Sequence, residues 1–135
     1  MSRSRKLGPI PPPIPGRVVL VGPCAAGKST LAQGLATLGF QVHRCGQEHS
    51  YVPDMWQRLS RPDKLIYLDV SIEQVKLRRN VSYGNDYLQE QKLRLRHARA
   101  HCDLYIDTDQ LTIEQVLARA HVFLEQTDLC PSGDN

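Results

Sequence analysis

One short stretch of the chain, residues 22 to 30 (GPCAAGKST), places glycines, a lysine and two hydroxyl side chains at spacings that suit phosphate chemistry. Gly22 and Gly27 let the backbone bend around an anion, so that successive N–H groups point toward its centre. A helix beginning near Lys28 would add the positive end of its dipole. Together these features predict a cradle for a polyphosphate.

The polar side chains of this loop each have an expected partner on a bound nucleotide. Lys28 would reach the β- and γ-phosphates, the Ser29 hydroxyl would ligate Mg²⁺, and Thr30 would contact the α-phosphate. The spacing satisfies GxxxxGK[ST], the Walker A pattern, which requires a strand before the loop and a helix after it. The loop residues expected to contact the nucleotide are Gly22, Pro23, Cys24, Ala25, Ala26, Gly27, Lys28, Ser29 and Thr30.

A magnesium ion at this loop needs a carboxylate besides the Ser29 hydroxyl. Glu48 ranks first because it follows the second predicted strand, whose carboxyl end should face the phosphates. Asp69 ends a run that matches hhhhD (LIYLD) and ranks second, and Asp54 stays open as a third. The expected metal ligands are therefore Ser29 with Glu48 or Asp69.

Strands and helices alternate along the rest of the chain. Apolar, β-branched runs predict strands at 17–21, 40–45, 64–70 and 103–107. Helical periodicity and helix-start signals predict helices from the loop to about 38, and at 72–80, 87–101 and 113–126. This alternation predicts an α/β fold: a three-layer αβα arrangement around a short, mostly parallel sheet of about four strands.

Size and charge indicate one domain with no broad basic face. The chain has 135 residues, and its 17 basic against 14 acidic residues leave a charge of +3. Arg3, Arg5 and Lys6 account for that excess, so the body is neutral and dedicated nucleic-acid binding is not expected. We expect a disordered proline-rich tail over 1–16, a nucleotide-binding domain over 17–127 and a frayed end over 128–135.

The cysteine pattern favours a reducing compartment. Four cysteines include no CxxC pair, and Cys24 lies inside the glycine loop, where a disulfide would obstruct it. No stretch of about 18 consecutive apolar residues occurs, so we expect a cytoplasmic protein without a membrane segment. Cys24 is either a small filler of the loop or a thiol activated at a helix N-terminus.

Zinc sites stay open at two places, although no CxxC or HExxH motif supports either of them. These places are His43, Cys45 and His49 after the second strand, and His97, His101 and Cys102 near the end of the predicted helix at 87–101.

The loop and two later segments resemble the P-loop kinase family, of the nucleoside-monophosphate-kinase and shikimate-kinase type. RPDKLIYLDVSIEQVKLRR (61–79) is similar to that family's fourth strand and following helix, in which an arginine near the helix end flanks the adenine. Arg78 occupies that position, with Arg79 beside it, and Asp69 becomes a structural residue. DLYIDTDQLTIEQV (103–116) is similar to the last strand, base loop and closing helix, which would place 107–111 beside the base.

The resemblance, which covers about 17–126, also shows a departure. Only residues 46–63 fill the space where these kinases usually carry another strand and a substrate-binding insertion, so the acceptor site is expected to be reduced or absent. Basic residues between 76 and 99 resemble a short lid that stabilises phosphoryl charge, with a solvated helix face as the alternative for the last three. They are Lys76, Arg78, Arg79, Lys92, Arg94, Arg96 and Arg99.

These features predict a small protein that binds ATP and Mg²⁺ and acts as a kinase-like phosphotransferase on an unidentified small molecule. The expected catalytic residues are Lys28, Arg78, Arg79 and Glu48. The alternative is a regulatory module that binds a nucleotide, hydrolyses it slowly and has no acceptor. ATP is favoured over GTP because the chain lacks an Asn-Lys-x-Asp motif. The sequence indicates neither the acceptor nor the oligomeric state.

Overall fold

The computed structural model describes residues 8–79 and 85–127, apart from the side chains of Arg79 and Asn85. Its elements are β1 (Arg17–Val21), α1 (Lys28–Thr37), β2 (Gln41–Arg44), a 3-10 helix (Gln47–His49), α2 (Met55–Ser60), β3 (Lys64–Asp69), α3 (Ile72–Arg79), α4 (Asn85–Arg94), α5 (Arg96–His101), β4 (Leu104–Asp107) and α6 (Ile113–Gln126). The described strands form one parallel sheet in the order β2-β1-β3-β4. Helices flank this sheet, which confirms the predicted fold class.

The central strands β1 and β3 are buried on both faces, which explains their unbroken apolar runs. On one face, residues such as Val18 and Leu20 pack with Leu35 of α1 and Leu124 of α6. The opposite face forms a second cluster with α2 and α5, made of Val19, Val21, Leu65, Tyr67, Trp56, Leu95 and Ala98. Two helical layers therefore enclose the sheet and hold its strand ends in place.

The carboxyl ends of all four strands meet at one end of the sheet because the strands are parallel. The loop of residues 22–27 follows β1 there and leads directly into α1. The 3-10 helix begins three residues after Arg44, the last residue of β2, at the same end of the sheet. The fold therefore brings the glycine loop and Glu48 to the same place.

The charged segment predicted as one helix at 87–101 is two helices, and this prediction is wrong in that respect. Leu95 separates α4 from α5 with φ −93° and ψ −3°, and its amide bonds to the carbonyls of both Gln91 and Lys92. The bend lets the two helices join different clusters. Leu88 belongs to the cluster that includes residues of α1 and α6, whereas Leu95 and Ala98 belong to the cluster that includes Trp56. Charge and periodicity alone did not reveal this change of partner.

The described part of the proline-rich stretch before β1 contacts the residues that connect α2 to β3. The Ile14 amide donates to the Arg61 carbonyl at 2.9 Å, and the Arg61 guanidinium donates to the Pro12 carbonyl at 2.9 Å. The Gly16 amide donates to the Asp63 carboxylate at 2.8 Å. Residues 8–16 therefore run along the start of the segment that leads into β3.

No helix within the described ranges is long and apolar enough to cross a membrane.

Candidate phosphate-binding site

The glycine loop is held against the sheet by a close backbone approach. A Cβ atom on Gly22 would lie 2.1 Å from the Leu68 carbonyl oxygen, so only glycine fits where the loop leaves β1. Ala25 and Gly27 then adopt left-handed conformations, with φ 66° and 98°. Left-handed residues within a short loop turn successive amides to one side of the backbone. The loop closes around a cavity of about 360 Å³.

Most amides of the loop and the first turn of α1 have no hydrogen-bond acceptor among the described residues. The Cys24 amide donates to Gln91 Oε1 at 3.0 Å, and the Ala26 amide donates to the Pro23 carbonyl at 3.3 Å. Within the described ranges, the remaining loop and first-turn amides donate to no group; they belong to Ala25, Gly27, Lys28, Ser29 and Thr30. Such a row of free donors, at the start of the ten-residue α1, is suited to an anion.

Lys28 lies inside the loop and is paired there. Its Nζ donates to the Gly22 carbonyl and to Glu48 Oε2, the latter at 2.7 Å. Both side chains are largely buried, with 12% and 7% of their surface exposed. Glu48 Oε1 is also buried, yet it accepts no hydrogen bond from the described part of the chain. The ion pair therefore leaves one carboxylate oxygen that a cation or a water molecule can use.

Ser29 has a partner that the sequence did not suggest. Arg44 Nη1 donates to Ser29 Oγ at 2.6 Å, and both residues line the loop cavity. Arg44 is the last residue of β2. Glu48 was ranked first because the carboxyl ends of the strands should face the phosphates, and the same reasoning could have identified Arg44. Its guanidinium adds a second cation near the loop.

Arg78 connects the glycine loop to the segment that follows β4. Its guanidinium donates to the Ala25 carbonyl at 2.8 Å, to Thr108 Oγ1 at 3.1 Å and to the Thr108 carbonyl at 2.7 Å. It lines the loop cavity and the cavity beside it. Arg79 ends α3, and its side chain lies outside the described residues.

The second cavity, of about 440 Å³, continues from the loop along α1 and α6. Its walls are mainly apolar, and its side chains include Leu31, Leu111, Val116 and Leu117. It shares the loop backbone at 25–27, Thr30 and Arg78 with the loop cavity. A polar cavity opening into an apolar one is the arrangement that a polyphosphate attached to a flat ring requires.

The other two candidate carboxylates lie elsewhere. Asp69 accepts hydrogen bonds from the Tyr105 hydroxyl and the Val70 amide, and its Oδ1 lies 3.3 Å from Lys92 Nζ. It does not line the loop cavity. Asp54 pairs with Arg58 at 3.0 Å. Glu48 is therefore the carboxylate that the described structure brings to the loop.

The basic residues of the expected lid have mostly other partners. Lys92 pairs with Asp69, and Arg94 pairs with Glu90 at 3.3 Å while its guanidinium stacks on the Tyr51 ring at 4.2 Å. Of this set, as far as its side chains are described, Arg78 alone lines the loop cavity.

The histidines of α5 form a stacked cluster with Trp56 rather than a metal centre. Trp56 Nε1 donates to His97 Nδ1 at 3.0 Å, and the His97 and His101 rings are stacked with centroids 4.3 Å apart. Burial, and to a smaller extent His101, lowers the pKa of His97. The Cys102 thiol donates to the Arg99 carbonyl. His97, His101 and Cys102 therefore do not converge on one point.

Comparison with known proteins relates the chain to a kinase by fold alone. No protein-family model matches the chain, and no curated protein matches it either. Among solved structures, it is similar to an unliganded sugar kinase from Janibacter sp. HTCC2649, with a TM-score of 0.57 and 18% sequence identity. The match covers 87% of this chain and 97% of the sugar kinase chain. At this identity the likeness supports a kinase-like α/β fold.

Proposed function

We propose that this protein binds a nucleoside triphosphate with Mg²⁺ and transfers its γ-phosphoryl group to a hydroxyl of a small molecule. The proposal rests on the amides of Ala25 and residues 27–30, which have no acceptor among the described residues and lie in the same loop as the largely buried Lys28 ammonium. Backbone donors and a fixed cation are the groups that stabilise a transferring phosphoryl group.

The proposal assigns a part to each group around the loop. The amides and Lys28 hold the β- and γ-phosphates, and the apolar cavity between α1 and α6 takes the base. Because Arg78 already bridges Ala25 and Thr108, it fixes the position of the base cavity relative to the phosphates. Nucleotide binding draws Lys28 from the Glu48 carboxylate toward phosphate, since both compete for the same ammonium.

Ser29 and Glu48 are the residues that would hold Mg²⁺. The buried Glu48 Oε1 without a hydrogen bond and the Ser29 hydroxyl in the same cavity are oxygen ligands of the kind that this ion prefers. The ion, when bound, would supply positive charge that offsets the charge of the phosphates. Arg44, which now contacts Ser29 Oγ, is then free to contact a phosphate or the acceptor.

The acceptor in this proposal is a small hydroxylated molecule, with sugars first among the candidates. The structural neighbour is called a sugar kinase, and 97% of its chain is matched, so it has the same compact size as this protein. A short chain between β2 and β3 is therefore compatible with kinase activity. The acceptor hydroxyl gives its proton to solvent as its oxygen bonds to the γ-phosphorus. The bond from that phosphorus to the β–γ bridging oxygen breaks, and the nucleoside diphosphate leaves.

A regulatory module that hydrolyses nucleotide slowly is the second candidate. It is favoured by the protein contacts of Arg78, Lys92 and Arg94, which leave few free cations to act on a transferring phosphoryl group. It makes the same use of the glycine loop, so binding alone does not separate the two functions.

The test is ADP release from ATP and Mg²⁺, measured with and without a panel of sugars, other hydroxylated metabolites and nucleoside monophosphates. The kinase predicts that at least one acceptor raises the rate well above the background, and that Lys28→Met abolishes the increase. Lys64→Met, which removes a lysine at the opposite end of the sheet, should leave it unchanged. Saturable ATP binding with no stimulation by any acceptor would favour the regulatory module, and absence of binding would refute both.

A further inference from the structure

Three potential metal ligands converge at the mouth of the glycine loop. One ligand atom each from Cys24, Glu48 and His49 lies within 4.8 Å of the other two. His49 Nε2 is 3.6 Å from Glu48 Oε2. No other group of three such residues occurs in the described ranges. The sequence suggested a group of His43, Cys45 and His49. In the structure His49 joins Cys24 and Glu48 instead, and His43 and Cys45 are not part of the group.

The sulfur and the carboxylate are fixed in place by buried contacts. Gln91, which is fully buried, accepts from the Cys24 amide at 3.0 Å and donates through Nε2 to Cys24 Sγ at 3.1 Å. The two contacts with Gln91 fix the position of the Cys24 side chain. Glu48 is held in the 3-10 helix with 7% of its side chain exposed, and its Oε1 has no hydrogen-bond partner among the described residues. These two ligands need little reorganisation.

His49 supplies the adjustable ligand. Its side chain is 56% exposed, and its ring nitrogen is already close to the carboxylate. Ligands bound to one zinc ion lie about 2.0–2.3 Å from it, so the three groups must draw together by roughly 1 Å. An exposed imidazole at the surface can make that movement at low cost.

We propose that Cys24, Glu48 and His49 bind a Zn²⁺ ion at the mouth of the loop. Thiolate and imidazole ligands select zinc over magnesium, and three protein ligands leave a fourth position for water. The Cys24 thiol releases its proton to solvent as the sulfur–zinc bond forms. Lys28 shares Glu48 with the ion, so its ammonium must turn away from the carboxylate when zinc binds.

A consequence for nucleotide binding rests on the proposed function. Glu48 is the carboxylate assigned there to Mg²⁺, and Cys24 belongs to the loop itself. Zinc and the magnesium nucleotide therefore compete, and zinc acts as an inhibitor. Zinc binding in the absence of nucleotide does not depend on the proposed function, and it is the property to be tested first.

The experiment uses the full reduced chain without nucleotide and titrates it with Co²⁺ as a spectroscopic probe, followed by Zn²⁺. We expect one metal ion per chain and a thiolate-to-cobalt charge-transfer absorption that Zn²⁺ removes. Cys24→Ser should abolish this absorption, and His49→Gln should weaken Zn²⁺ binding about ten-fold or more. Because His49 is exposed, its variant tests the site even if Cys24→Ser impairs folding.

Cys102→Ser and His101→Gln are the matched controls, since they remove a thiol and an imidazole elsewhere on the surface and should leave the absorption and the affinity unchanged. The proposal is overturned if no thiolate absorption develops, or if the absorption survives in Cys24→Ser. It is also overturned if the controls, rather than Cys24 and His49, lower the affinity. Failure of ATP binding alongside normal zinc binding would count against the proposed function alone.

Discussion

Because Lys28 and Glu48 form a largely buried ion pair, we expect their substitutions to have non-additive effects on the free energy of unfolding. At the observed 2.7 Å, two unit charges attract each other by about 6 kcal/mol at an effective dielectric constant of about 20. Desolvation of the two largely buried groups offsets part of this attraction. Lys28→Met leaves a buried carboxylate without its counter-charge, which destabilises a protein by about 3–5 kcal/mol.

Glu48→Gln costs less, about 1–2 kcal/mol, because the amide oxygen still accepts from Lys28 and the Gly22 carbonyl remains a partner. The double variant carries neither buried charge. We therefore expect Glu48→Gln to restore part of the stability that Lys28→Met removes, with a coupling free energy of about 2 kcal/mol or more.

The assay is urea unfolding of the four proteins at pH 7, followed by circular dichroism and by the fluorescence of Trp56, the chain's single tryptophan. If the double variant loses the sum of the two single losses, or the coupling stays below about 0.5 kcal/mol as for an exposed pair, the buried ion pair does not form as described.

Three further predictions concern the frame around the site. Gly22→Ala should lower the free energy of unfolding by about 3 kcal/mol or more in urea titrations, because the added Cβ would meet a backbone carbonyl of β3. Gly46 has open space around it, so Gly46→Ala should change the free energy of unfolding by less than about 0.5 kcal/mol. Burial and the neighbouring His101 lower the pKa of His97, so on acidification the unfolded chain takes up this proton before the folded chain does. The contribution of neutral His97 to stability is therefore complete above about pH 6.5 and is lost as the pH falls further. His97→Gln should flatten this pH dependence of the free energy of unfolding. Thr112→Ala should cost about 1 kcal/mol in thermal or urea unfolding, because it removes the capping box that begins α6, while Thr112→Ser should not.

Local patterns predicted those parts of the fold that depend on local forces. The bounds of β1 and α6 match the predicted 17–21 and 113–126, because a buried β-branched run and a capping box carry their own signals. The first helix, predicted to about 38, ends at Thr37, and Gly39 just beyond it is left-handed, as is common at helix ends. The four predicted strands therefore follow from sequence periodicity, whereas the 3-10 helix and α2 were not predicted.

The parts that were missed depend on contacts between distant residues. The break at Leu95 arises because α4 and α5 pack in different clusters. Arg44 reaches Ser29 only because β2 lies beside β1. Gln91 clamps Cys24 across 67 residues of chain, and no local pattern marks such a pair. The position of Glu48 beside the loop agrees with the strand-end geometry of a parallel sheet, and its role with Mg²⁺ stays a prediction.

The most direct test of the central claim, that free loop amides bind a polyphosphate, is a titration of the ¹⁵N-labelled chain with ATP and Mg²⁺ followed by amide NMR. We expect saturable shifts that are largest at Ala25 and Gly27–Thr30 and smaller at Cys24 and Ala26, whose amides already have protein acceptors. Shifts that do not saturate at millimolar ATP, or that lie mainly outside the loop, would contradict it.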